Sequence, residues 1–473
     1  RQAPPMSSLE RLLSLGFVAA CFVLYTTWVL VVPFDAAPDE AMRYRLIRYI
    51  SEKLAIPSGL DPATRDPIWG TSYAFEPILA ALVAAFLRSV AGVFTSDAHA
   101  LALASRFASV IFGTGTVALC VLISRRVFTS PWRWLFVALV ALLPQFAFLS
   151  CYLNSDSLAI FSTALILYAW VRGLRDGWST GTAALLGLGI SVCLLSYFTA
   201  YGFILLSVVV YLADRFRGWR RAPLDDRRAQ LRETLVQVAV IAGVVLVLAA
   251  WWFVRNAYLY HGDFLGLRTS GEQGALYAEN YAKPGASSAL GRGWTLWQML
   301  FRRGWIAISG MSSVGVFGYM KVRMPSPVYG VYAIITVAGF VALLPSLWRW
   351  ISGVRGQART TAAPAEERVS LPGFSVWARG LLHAALLVAI PIPIALSIYH
   401  SYTQDYQPQG RYILPMLLPV AYFVTKGFAD LMTRYVSSPR ARLAVFAILC
   451  AWTVFATLLA LVGVVIPHYH LHT

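Results

Sequence analysis

Apolar runs of about 20 residues recur from Leu12 to Ile466, broken by short polar segments, and each can cross a hydrocarbon layer of about 30 Å. Spans are read at 12–32, 102–123, 134–151, 157–171, 182–196, 198–213, 235–254, 328–347, 380–399, 412–430 and 443–466. The pattern predicts an all-α polytopic membrane protein with about eleven transmembrane helices. One apolar stretch, 74–94 (AFEPILAALVAAFLRSVAGVF), is left over.

Charge decides how that stretch is read. If it does not cross, the segments 124–133, 172–176, 214–233, 348–379 and 426–442 lie on the N-terminal side. With Arg1 and Arg11 they hold more than half of the 39 Lys and Arg. If it crosses, Arg125-Arg126 and the RFRGWRR cluster fall outside, against the positive-inside rule. Residues 74–94 are therefore expected to form a juxtamembrane or re-entrant helix, with the N terminus inside and the C terminus outside. The first run is too long for a signal-peptide core of about 7–15 residues and reads as a retained span. A first residue of Arg fits numbering that begins inside a longer product.

Composition narrows the class further. With 58% hydrophobic residues, 13% charged and a mean hydropathy of +0.63, a soluble domain is excluded. The net charge of +17 is spread over inner loops near anionic lipid, so no nucleic-acid partner is expected. Cys21, Cys120, Cys151, Cys193 and Cys450 lie in or beside apolar runs without ligand spacing and read as core residues. No GxGxxG or GxxxxGK[ST] fingerprint occurs, so no nucleotide is bound inside. No internal repeat is visible and the spans are nearly free of charge, Arg106 being the main exception, which argues against an ion-coupled carrier.

The chain reads as a single integral membrane domain, 1–473, with three outward segments: 33–101, 255–327 and the short 399–412. A tight outward turn, CYLNSDS, surrounds Asn154 and Asp156, while the Gly/Ala/Arg-rich 351–376 reads as an inner flexible linker.

Candidate chemistry gathers on the outward segments. Asp39-Glu40 closes the first span in PFDAAPDEAMRYRLIRY, where poorly solvated carboxylates can be tuned as bases. Asp39 is equally well placed to cap the helix that starts there, or to pair with Arg43 at i,i+4. Asp156 faces the same side and stands at a helix start, where an N-cap is also needed. Arg255 in WWFVRNAYLY and Arg411 in QPQGRYILP sit at membrane boundaries, as do Arg302-Arg303 on an aromatic helix. Such arginines either snorkel among aromatics or grip a phosphate at headgroup depth. His261 and Asp263 in YHGDF, with Asp39 or Glu40, leave a divalent cation open as the only cofactor considered, and the HYHLHT tail reads as incidental.

Taken in order, these features resemble the C-type glycosyltransferase superfamily (GT-C), multi-span enzymes that use polyprenyl-phosphate-linked sugars. The resemblance is carried by Asp39-Glu40 after the first span, two juxtamembrane helices in the first loop, and Asp156 at the second outward turn. SRFASVIFGTGTVALCVLISRRVF, LLPQFAFLSCYLNSDSLAIF, WWFVRNAYLYHGD and QGRYILP look closest to a poorly characterised bacterial family of GT-C-like membrane proteins. Such families often carry His three residues after the acid pair, whereas Arg43 stands here.

The resemblance implies Asp39 as catalytic base, with Glu40 and Asp156 in support. Arg255, Arg411, Arg302 and Arg303 would hold the donor phosphate. Arg43, Tyr44, Trp69, Tyr73, His261, Asp263, Tyr402, Gln409 and Tyr412 would line the substrate path. A lipid phosphate is already a stable leaving group, so one carboxylate acting on an acceptor hydroxyl suffices for an inverting single displacement. The implied partners are a polyprenyl-phosphate-linked sugar, a glycan, lipid or protein acceptor, and membrane lipids. The implied setting is a bacterial plasma membrane with the site on the periplasmic or extracellular face. An O-antigen-type polymerase or ligase, or a non-catalytic lipid or polysaccharide transporter, remain as other readings.

Overall fold

A computed structural model describes residues 7–345 and 370–471. Residues 346–369, which hold most of the stretch read as a linker, lie outside the described residues, as does His472.

Long apolar runs become long helices: α1 (Ser8–Val31), α4 (Ala98–Val127), α7 (Asp156–Asp176), α9 (Gly202–Arg221) and α10 (Leu224–Val245), the last continuing to Leu259. Eight helices are long and apolar enough to cross a membrane among the described residues. Two of these starts, those of α1 and α4, carry side-chain caps. Ser7 accepts from the Glu10 N–H at 3.2 Å and Asp97 from the Ala100 N–H at 2.8 Å. Two other expected spans are short helices, α8 (Thr180–Leu194) and α14 (Ser326–Val341). The run 134–151 is split into α5 (Trp132–Ala141) and α6 (Pro144–Leu149), because Pro144 has no N–H to continue the first helix and starts the second.

Within the first loop stand α2 (Glu40–Lys53) and α3 (Leu79–Gly92). The 14 residues of α3 reach only about 21 Å at 1.5 Å per residue. α3 packs against α2 and α4. The helix that begins with α10 ends in α11 (Trp251–Leu259), and the loop after it holds α12 (Leu267–Tyr277) and α13 (Trp305–Gly315). One small antiparallel hairpin departs from the all-α expectation, pairing Val316 with Arg323 and Phe317 with Val322.

The core sits on α4, α5, α7 and α17 (Leu417–Tyr435). The apolar window of α7 is 83% buried and that of the Leu224–Leu259 helix only 11%, so the first is walled by protein and the second faces outward. The 439–470 helix and α16 (Pro391–Thr403), which continues α15 (Val376–Ala389), complete the bundle.

α14 and α17 cross backbone to backbone. A Cβ at Gly427 would fall on the Gly339 carbonyl oxygen, and one at Gly339 would sit 2.8 Å from Val424 Cα. Gly427→Ala is expected to lower stability by about 1–3 kcal/mol through forced separation of the helices. Gly330→Ala on α14 meets open space and should leave the thermal melt in detergent unchanged.

Candidate active site

Asp39-Glu40 sends its two carboxylates to different partners. Glu40 is fully buried against the equally buried Arg106 of α4. Arg106 donates through Nε to Oε1 at 2.8 Å and through NH2 to Oε2 at 2.7 Å, a bidentate pair. The same guanidinium donates to the carbonyls of Val29, Val32 and Pro33, and Glu40 also accepts from the Asp35 and Leu153 N–H groups. Every oxygen of Glu40 is spoken for. The pair ties the end of α1, the start of α2 and the turn before α7 to one point on α4.

Asp39 turns the other way. Its φ of +64° is left-handed, a conformation Asp tolerates better than most residues. Its side chain makes no cap hydrogen bond. Asp35 accepts from the Ala41 N–H instead, at 3.2 Å, which frees the Asp39 carboxylate. Arg411 donates to Asp39 Oδ2 at 2.7 Å across 372 positions of sequence, and its NH1 lies 4.0 Å from Asp156 Oδ2. Burial works against the Asp39 charge, but Arg411 and Arg43 outweigh it and hold the carboxyl below its ordinary value.

Asp156 is also free of capping duty. Asn154 accepts from the Ser157 N–H at 2.8 Å, and Asp156 Oδ1 is buried without a hydrogen-bond partner. Tyr412 receives a hydrogen bond from Arg411 at 2.7 Å and passes one to Gln407. Gly410 sets the approach of this loop, since a Cβ there would collide with the backbone of Ser312 and Ser313.

Arg43, one turn into α2, completes the cluster. It donates to Ser155 Oγ at 2.7 Å, stacks 3.9 Å above the Tyr73 ring and lies 3.6 Å from Glu76 Oε2. Burial pushes the Glu76 carboxyl up to about 7, against the pull of Arg43 and with Asp39 and Asp156 adding to the rise. Arg43, Tyr73 and Glu76 form the polar side of a small pocket. Leu46, Ala80 and Ala84 are on its apolar side. Arg43 Nε and Arg411 Nε are both buried without a partner. Two donors and two carboxylate oxygens, Asp156 Oδ1 and Glu76 Oε2, are thus unspent in one small volume.

Residues 58–420 match a protein family described as "Predicted membrane protein (DUF2142)". The chain belongs to the DUF2142 family. The matched stretch includes Tyr73, Glu76, Arg106, Asp156 and Arg411, whereas Asp39, Glu40 and Arg43 precede it. No curated protein matches the sequence.

Among solved structures, this DUF2142 chain is similar to the archaeal oligosaccharyltransferase AglB from Archaeoglobus fulgidus in complex with an inhibitory peptide and a dolichol-phosphate. The TM-score is 0.52 at 13% identity, over 96% of this chain and 56% of that one. The same enzyme tethered to an acceptor peptide matches with a TM-score of 0.51 at 13% identity, over 97% and 56%. ArnT from Cupriavidus metallidurans bound to undecaprenyl phosphate is a weaker likeness, with a TM-score of 0.47 at 16% identity, over 94% and 64%. The chain spans less than two thirds of the length of these structures. The likeness shows a fold shared with the Archaeoglobus fulgidus oligosaccharyltransferase.

Other residues singled out from the DUF2142 sequence go elsewhere. Arg255 donates to the carbonyls of Ile56 and Pro57, at 3.2 and 2.7 Å, and staples the first loop to α11. Arg302 and Arg303 are exposed, Arg303 over Trp294. None of the three shares a hydrogen bond or ion pair with the cluster. Asp263 caps α12 through Gly266 and Thr269, and His261 is exposed in a turn at φ +50°. No three His, Cys, Asp or Glu side chains converge as metal ligands among the described residues.

Tyr44 meets Phe34 edge to face and accepts from Arg88, Trp69 belongs to the turn held by Asp66, and Tyr402 joins a small core around Trp305. Gln409 leads into the turn of helix that holds Arg411. Sequence reading passed over Glu76. It sits before Pro77 in the leftover apolar stretch, and only the fold of α3 onto α2 brings it to Arg43.

Proposed function

We propose that the chain is an inverting glycosyltransferase that moves a sugar from a polyprenyl-phosphate donor to an acceptor hydroxyl. The reading places it in a bacterial plasma membrane, N terminus inside, with the site on the outer face. The carrying observation is the pair of unspent, buried guanidinium donors on Arg43 and Arg411 beside the ionised Asp39. Planar donors sealed from water suit a phosphate, and AglB, of the same fold, is held with a dolichol-phosphate.

In this reading the acceptor oxygen attacks the anomeric carbon as the bond from that carbon to the phosphate oxygen breaks. Asp39 takes the hydroxyl proton, which becomes acidic only as the new bond forms, so a weak carboxylate base suffices. Arg43 and Arg411 stabilise the charge that grows on the departing phosphate. Asp156 shares Arg411 with Asp39 and keeps that guanidinium in place. Glu40 touches no reacting group and acts through Arg106 as a positioning residue. Arg43→Met and Arg411→Met, tested with undecaprenyl phosphate in lipid nanodiscs, should each weaken binding about tenfold or more, the value of one lost charged hydrogen bond of about 1.5–3 kcal/mol. Unchanged affinity in both variants would remove the phosphate from this cluster.

A further inference from the structure

We propose that Glu76 is the proton donor to the lipid phosphate as it leaves, working opposite Asp39, which receives the acceptor's proton. This rests on the transferase reading above. Glu76 lines the cavity wall beside Arg43, at 3.6 Å from its NH2, a separation too long for a hydrogen bond. Its Oε2 is sealed and, apart from that ion pair, makes no hydrogen bond, although the side chain as a whole keeps 27% of its exposure. One phosphate held by Arg43 would therefore meet both the guanidinium and this free carboxyl oxygen.

One carboxylate base already balances the reaction, and a second carboxyl can spare the departing phosphate its second charge while it is enclosed. A sugar–phosphate–lipid diester carries one negative charge. When the bond from the anomeric carbon to oxygen breaks, the electron pair stays on that oxygen and the product is a monoester, whose second ionisation lies near pH 6–7. A proton passed from Glu76 to that oxygen keeps the phosphate at a single charge while it is still enclosed. The acceptor's proton goes to Asp39, which returns it to water, and Glu76 is reprotonated from water after the lipid leaves. Atoms and charge close with no further reactant.

The environments of the two carboxyls divide the roles. Asp39 is held ionised by Arg411 and Arg43, while Glu76 is largely protonated up to a pH of about 7. The charged and titratable groups facing Glu76 are Asp39 and Arg43 at the start of α2, Tyr73 in its own turn, Asp156 of α7, Tyr197 ahead of α9, and Arg411. Only Arg43 and Arg411 favour its ionised form.

The test follows release of free undecaprenyl phosphate by the full chain in nanodiscs, from undecaprenyl-phosphate-linked glucose, mannose, galactose and arabinose, with a cell-envelope extract as acceptor. Wild type should lose rate as pH rises through about 7, because the required form is the protonated one. Glu76→Gln should melt like wild type, turn over about tenfold or more slower at neutral pH, and lose that alkaline limb. Glu76→Asp, which restores a proton donor, should recover part of the rate together with a limb. A wild type that transfers while Glu76→Gln keeps both rate and limb overturns the proposal alone. A wild type that releases no lipid phosphate from any donor overturns the transferase reading and this proposal with it.

Discussion

Asp39→Asn is expected to slow sugar transfer by about a hundred- to ten-thousand-fold, the range over which a positioned general base contributes. The substitution is chosen on structural grounds. Asn tolerates the left-handed backbone that Asp39 adopts, so the start of α2 should survive. The amide oxygen can still accept from Arg411, which keeps the third outer loop docked. What is lost is the negative charge and the site for a proton. Donor binding measured alongside the rate should stay within a few fold of wild type, since the guanidinium donors assigned to phosphate are Nε of Arg43 and Arg411. A variant that transfers at the wild-type rate would take Asp39 out of the chemistry.

The second large effect is on stability. Arg106→Met is expected to cost about 3–5 kcal/mol, because it leaves the Glu40 carboxylate buried and uncompensated and strips the Val29 and Val32 carbonyls of their donor. Thermal unfolding in detergent should show this as the largest loss among single substitutions near the cluster. Buried ion pairs can often be replaced by apolar residues at little cost, yet this one should resist that exchange. The double variant Glu40→Leu with Arg106→Leu still orphans the carbonyls of Val29 and Val32 and the N–H groups of Asp35 and Leu153. It should remain well below wild type. A double variant as stable as wild type would show that those backbone groups find other partners.

Hydrophobic periodicity made the bundle legible because a span needs about 20 apolar residues whatever it contacts. All eleven expected runs carry helix as far as the described residues reach, and within 74–94 a helix runs over Leu79–Gly92. The break at Pro144 was readable in principle, since proline inside an apolar run ends one helix and begins another.

The site was harder, for a physical reason. Sequence gives the side chains at a helix start but not which of them caps it. At α2 the cap falls to Asp35 and at α7 to Asn154, so Asp39 and Asp156 are released toward Arg411. Adjacent Asp39 and Glu40 looked like one functional pair, but a partner 66 positions away, Arg106, claims Glu40 entirely. Arg255 and Arg411 had the same local signature of Arg among aromatics at a span end. Only the fold shows that the first is used up on loop carbonyls while the second faces two carboxylates.

The most direct measurement is incubation of the wild-type chain in nanodiscs with radiolabelled undecaprenyl-phosphate sugars, following label, lipid and the anomeric configuration of the product together. The account predicts that label leaves the lipid, free undecaprenyl phosphate accumulates, and the transferred sugar has the opposite anomeric configuration. Donor that binds and stays intact, or that crosses the bilayer uncleaved, would contradict it.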